Sequence, residues 1–195
     1  YAKKIIIENS KVVFLYNILG LILHDLNKTD EAIDCFERGT QVNPNNIDVA
    51  LIYNNLGSVY FYRKNFFEAE NCYKKSIKIN IKNFEALNNL GNLYIVQNNY
   101  EEGIKYYKKA IEISKKFIAA HYNLAIAYKN LGDFSNSKKY LLNSIEINNN
   151  FFTAHRSLSE ITKYEKGNKH LEMMINFYKK NEVNKKKKSR NSFCN

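Results

Sequence analysis

The sequence predicts an all-α solenoid, a stack of helical hairpins, and three observations carry that prediction. The first is recurrence. Leu56-Gly57-Ser58-Val59-Tyr60 returns as Leu90-Gly91-Asn92-Leu93-Tyr94 and again as Leu124-Ala125-Ile126-Ala127-Tyr128, with Leu158 at the same interval of 34 residues. A fixed period of this size marks a stacked repeat and outranks any local reading of structure. The second is that each period holds two successive segments with apolar residues at helical spacing. The third is a small residue at the eighth position of each period: Gly20, Gly57, Gly91, Ala125 and Ser159. Glycine inside a helix costs about 1 kcal/mol relative to alanine, so its recurrence implies a close helix–helix approach.

Residues 1–12 are expected to be the end of a truncated upstream repeat, because residues 1–9 (Tyr-Ala-Lys-Lys-Ile-Ile-Ile-Glu-Asn) fit a second helix. The first full repeat spans 13–46. Residues 47–49 separate it from 50–83, and 84–117 and 118–151 follow in phase. In the third repeat Ala86, Leu87, Leu90, Tyr94 and Ile95 form one stripe. Ile104, Tyr107, Ala110, Ile111 and Ile113 form the other, across the short polar link Gln97-Asn98-Asn99. Neither helix buries its stripe alone, so the pair must stack on its neighbours. A partial unit at 152–180 opens with Phe152, Ala154, His155 and Leu158, then loses the pattern. There Leu171, Met174, Ile175 and Tyr178 predict one more amphipathic helix that caps the stack. The solenoid thus runs over 13–180. Residues 181–195, with Lys185 to Lys188 and Arg190, read as a basic disordered tail.

These marks resemble the tetratricopeptide repeat (TPR) family, whose pattern at period 34 is W-x2-L-G-x2-Y, then A-x3-F, then P. Repeat 13–46 supplies Tyr16, Leu19, Gly20, Leu23, Ala32, Phe36 and Pro44 at those places. Repeat 50–83 supplies Tyr53, Leu56, Gly57, Tyr60, Ala69 and Tyr73. Repeat 84–117 supplies Leu87, Leu90, Gly91, Tyr94, Gly103, Tyr107 and Ala110. Repeat 118–151 supplies His121, Leu124, Ala125, Tyr128, Ser137 and Leu141. The resemblance covers residues 13 to 162. It implies a right-handed superhelix with the first helices lining a concave groove. The chain departs from the pattern in lacking Trp and in keeping the final Pro once.

Composition excludes more than it selects. The net charge is +11. Such a balance admits a nucleic-acid reading. The sequence argues against it, because Lys74, Lys75, Lys78, Lys105, Lys108, Lys109, Lys138 and Lys139 lie on second helices, which the family resemblance places on the solvated convex face. Abundant Asn, Lys, Ile and Tyr also suggest an AT-rich genome, which accounts for part of the charge. Cys35, Cys72 and Cys194 share no metal or redox spacing, which favours a reducing compartment and a cytoplasmic protein. His121 and His155 hold equivalent fourth positions and read as packing residues rather than metal ligands. No phosphate loop, nucleophile elbow, zincin motif or dinucleotide fingerprint is present, so the sequence predicts no enzyme, no catalytic residue, no metal and no cofactor. No apolar run approaches the roughly 18 residues of a membrane span.

The binding reading comes from the concave positions that the resemblance implies. Position 5 carries Asn17, Asn54, Asn88, Tyr122 and Arg156; position 6 carries Asn55, Asn89 and Asn123; position 9 adds Ser58 and Asn92. This resembles the asparagine ladder of TPR proteins that hold extended peptides, such as the superhelix of O-linked N-acetylglucosamine transferase. A carboxamide offers donor and acceptor together, so it can pair with peptide backbone. The bland alternative is that Asn is common throughout the chain. A carboxylate clamp of the chaperone type is not expected, since its basic positions are Phe14, Asn17, Leu51, Asn54 and Glu85. The expectation is a monomeric, non-catalytic scaffold for a protein or extended peptide. A second reading rests on Phe152-Thr-Ala-His-Arg-Ser-Leu-Ser159, Tyr164 and His170-Leu-Glu-Met-Met174. This stretch resembles the repeats that precede the catalytic domain of bacterial TPR–sulfotransferase proteins, and implies the recognition arm of a larger transferase.

Overall fold

A computed structural model describes residues 2–44 and 46–179, with side chains from residue 11 onward. Among the described residues there are ten helices and no strand. They are α1 (Ala2–Asp25), α2 (Thr29–Val42), α3 (Val49–Tyr62), α4 (Phe66–Ile79) and α5 (Phe84–Val96). Then follow α6 (Tyr100–Ile113), α7 (Ile118–Asn130), α8 (Phe134–Ile147), α9 (Phe152–Glu160) and α10 (169–179). From α1 to α9 each helix packs on its neighbours in sequence, and the first helices also touch in a row, α1 on α3, α3 on α5, α5 on α7.

The tight hairpin turns have one chemical cause, repeated four times. Asn27, Lys64, Asn98 and Gly132 occupy the same repeat position, and all have φ between 61° and 76°. The next residue's N–H reaches back to a carbonyl in the preceding helix: Lys28 to Leu23, Asn65 to Tyr60, Asn99 to Tyr94 and Asp133 to Tyr128, at 2.8–2.9 Å. The left-handed residue's own N–H bonds the carbonyl three residues back, as Lys64 does to Phe61 at 2.9 Å. This is a Schellman ending, which satisfies the orphan carbonyls of the first helix. The residue after the turn then caps the second helix. Asn65, Asn99 and Asp133 accept from the N–H groups of Glu68, Glu102 and Asn136. Two residues therefore end one helix and begin the next.

The small eighth position sits beneath the residue sixteen places later. A Cβ built on Gly57 would lie 2.8 Å from the Tyr73 ring, and one on Gly91 would lie 2.7 Å from Tyr107. Gly20 stands in the same relation to Phe36. In the fourth repeat the covering residue is Leu141, not an aromatic, and the small residue is Ala125; the two share one core cluster. The bulk of one position sets the size of the other.

Two expectations are corrected. Residues 1–9 are not a separate upstream helix: Ala2–Asp25 is a single helix of 24 residues. No glycine or proline lies between residues 2 and 19 to end it, and Asn9-Ser10 alone costs too little. The face of the last helix is also different. Met174 and Ile175 are 40% and 42% exposed and Tyr178 is 69% exposed. His170, Met173 and Phe177 face the stack instead, with Leu171 half-buried. Both sets are helical stripes, and the polar His170 hides the inner one from a hydrophobicity reading. The tail at 181–195 lies outside the described residues.

Candidate functional site

The inner row of first helices carries the expected amides, and the structure joins them into rungs. Position 6 of one repeat donates to position 5 of the repeat before. Asn55 Nδ2 donates to Asn17 Oδ1 at 2.8 Å, Asn89 to Asn54 at 3.0 Å, and Asn123 to Asn88 at 3.0 Å. The fourth rung exchanges amides for hydroxyls: Tyr122 Oη and Ser157 Oγ meet at 3.3 Å. Ser157, missed from the sequence, stands 34 residues after Asn123, so its position was the available signal. The ladder crosses every junction from α1 to α9.

The rungs decide what each amide has left to offer. Asn54 and Asn88 are 8% and 5% exposed, so their oxygens serve the stack. Asn55 and Asn89 are half-buried. A primary amide has two N–H groups and one rung uses one of them. Asn123 uses both, since Nδ2 also donates to Asn92 Oδ1 at 3.0 Å. Asn92 in addition accepts from Tyr107 Oη at 2.7 Å, and Tyr73 Oη donates to Ser58 Oγ at 3.3 Å. Ser58 donates in turn to the Asn54 carbonyl at 3.1 Å. The second-helix tyrosines therefore reach through the layer and fix the position-9 side chains. Burial raises the Tyr107 hydroxyl's pKa, and pushes that of Tyr73 up to about 12, so both remain neutral donors.

The two ends of the groove differ from its middle. Ile18 and Leu21 occupy the places held elsewhere by Asn and Ser, and are 38% and 40% exposed, with Phe14 at 58%. At the other end the Arg156 side chain is 84% exposed and 3.6 Å from Glu160, which Lys129 also holds. Along the first helices these positions thus pass from apolar in α1 through amide in α3 and α5 to charged in α9.

The outer face behaves as a solvated surface. The eight lysines named above are all exposed. Lys74 pairs with Glu70 at 2.7 Å and Lys105 with Glu102 at 2.8 Å. Lys75, Lys108, Lys109 and Lys139 lie over tyrosine rings at 5.3–5.8 Å. Cys35 and Cys72 are buried free thiols, and burial pushes Cys72 up to about 12, which removes it as a nucleophile. His121 Nε2 bonds the Lys115 carbonyl at 2.9 Å, and His155 Nε2 bonds the Asn149 carbonyl at 2.9 Å. Each position-4 histidine thus pins the loop before its own helix. Among the described residues no cluster of His, Cys, Asp or Glu could hold a metal ion, and no helix is long and apolar enough to cross a membrane.

Comparison with known proteins agrees with this geometry. Family models described as Tetratricopeptide repeat match residues 12–82, 84–117 and 118–151. They end at 151 and do not carry the likeness to the sulfotransferase-associated unit at 152–180. No curated protein matches the chain. Among solved structures, PilF of Pseudomonas aeruginosa is 19% identical with a TM-score of 0.72, over 79% of this chain and 69% of that one. Two MamA structures are 20% and 22% identical, with TM-scores of 0.64 and 0.65. They cover 88% and 92% of this chain and 96% of theirs. At such identities the likeness is one of fold. With repeats of one description matched in phase from residue 12 to 151, and four hairpins built on one turn and one packing rule, the chain belongs to the tetratricopeptide repeat family.

Proposed function

We propose that this chain is a non-catalytic, monomeric scaffold that holds an extended segment of a partner protein along the concave face. The observation that carries the reading is the ladder. Its rungs hold Asn55 and Asn89 in fixed orientation at successive repeats, each with one N–H beyond its rung bond. Side chains fixed in advance lose little rotamer freedom on binding, so their hydrogen bonds reach the partner at low entropic cost. Amides contact backbone, which favours an extended segment over a folded surface. The buried reduced thiols support a reducing, cytoplasmic setting. The pairing of the outer lysines with Glu and Tyr supports a protein partner over nucleic acid.

The test is peptide selection from a displayed random library, followed by affinity measurement on the selected peptide. Asn55→Ala with Asn89→Ala should weaken binding by about tenfold to a hundredfold, since each lost hydrogen bond is worth about 0.5–1.5 kcal/mol. Circular dichroism should remain helical, and added salt should change affinity little. Full affinity in the folded double variant would reject the groove. Loss of binding on neutralising Lys105, Lys108, Lys109, Lys138 and Lys139 would move the site to the outer face.

A further inference from the structure

His155 has a neighbour that its repeat equivalent His121 lacks. His155 Nδ1 and His170 Nε2 meet at 2.9 Å, and Tyr164 Oη lies 2.6 Å from His170 Nδ1. The rings stack with centroids 5.1 Å apart. Both histidines are buried, at 3% and 7% exposure. The Phe177 ring closes the pair from α10.

One carbonyl fixes every proton in this chain of contacts. The Asn149 oxygen can only accept, so His155 Nε2 carries hydrogen. In the neutral ring His155 Nδ1 is then an acceptor, so His170 must present Nε2–H to it. That leaves His170 Nδ1 as the acceptor for the Tyr164 hydroxyl. The order is Tyr164 to His170 to His155 to Asn149, and it links the α8–α9 loop, α9, the α9–α10 loop and α10.

We propose that the buried His155–His170 pair is an acid-sensitive latch that holds α10 on the end of the stack and releases it as the pair takes up protons. One added proton sits in a desolvated site that Lys138 of α8 already makes less favourable for positive charge. A second sets two N–H donors against each other across 2.9 Å. Burial, then the His155 ring, then Lys138 hold His170 below its ordinary value of 6.5. Because the docked form prefers the neutral ring, the released form binds protons more tightly. The stability of docking is complete above about pH 6.5 and is lost as pH falls below it. Release uncovers Leu158 and Ile145, which share their cluster with Met173 of α10, and opens an apolar end on the solenoid.

Hydrogen exchange on the full chain at about pH 7.5 and about pH 5.5, corrected for intrinsic rates, tests the latch. Protection of 165–179 should fall about tenfold or more, while α3 to α6 keep theirs. His170→Gln, which keeps a donor for His155 and an acceptor for Tyr164, should show a much smaller fall. If that variant does not fold, imidazole 15N spectra of the unmodified protein decide. Both rings should be Nε2–H at the higher pH, with His121 as an internal reference lacking a second ring. Equal protection of 165–179 at the two pH values, a loss shared by α3 to α6, the same fall in His170→Gln, or an Nδ1–H tautomer on His155 would each overturn the proposal.

Discussion

At the residue scale the eighth position shows how one atom sets a fold. Gly91 costs helix propensity, yet a Cβ there would lie 2.7 Å from Tyr107 and 3.2 Å from the Gly103 carbonyl. Overpacking of this kind outweighs the propensity gain. Gly91→Ala should therefore destabilise the protein by about 1–3 kcal/mol, and Gly91→Leu by more. The same Gly91→Ala change made on a Tyr107→Leu background should be neutral or stabilising, because it recreates the Ala125 and Leu141 pair already present in the fourth repeat. Thermal unfolding of the four proteins forms a double-mutant cycle, and equal effects of the change in both backgrounds would contradict this account. The position was legible in the sequence as a recurring small residue. Its partner was not, since it lies sixteen positions further along the chain, across a turn.

At the element scale the hairpin turn was legible and the last helix was not. The short polar link Gln97-Asn98-Asn99 marked the turn in the third repeat, and the same turn serves all four hairpins. Lys64 accepts φ 61° where Gly132 fills the same place without strain. The last helix offered two apolar stripes, and the sequence favoured the wrong one because a histidine heads the right one. The expected consequence is specific. Met173→Glu should lower the melting temperature, since Met173 packs on the cluster of Ala125, Leu141, Ile145, Ala154 and Leu158. A carboxylate pressed against that apolar cluster is unfavourable unless it protonates or the helix undocks. Met174→Glu, one residue on and 40% exposed, should change stability by less than about 0.5 kcal/mol. The reverse order, read by thermal unfolding, would refute the placement of α10.

At the scale of the whole molecule the main contacts among the described helices α1 to α9 are between near neighbours, so stability is approximately a sum of local terms. Deleting 84–117 joins Asn83 to Ile118 in phase and leaves Asn54 facing Asn123 in place of Asn89. The shortened chain should remain folded and helical, with a lower melting temperature, and should regain an amide rung. A chain without cooperative unfolding by circular dichroism would show that the repeats are not interchangeable. Charge follows the same linear logic. Residues 163–195 hold ten of the thirty Lys and Arg residues against three acids, so the repeats themselves are close to neutral. The basic balance of the protein is a property of its ends, not of its groove.

The sequence by itself determined the period, the helix pairs, the turns and the row of amides, because each is a local pattern repeated in phase. Only the tertiary structure decided how those amides are used. Asn54 and Asn88 are buried in the stack while Asn55 and Asn89 stay half-exposed, although they are adjacent in the chain and identical in type. The difference arises because consecutive helix positions lie about 100° apart, and one of them meets the next repeat. The same holds for His155 and His170. Their spacing carries no signal, and a chain of proton donors between them exists only once two helices and two loops have closed around it.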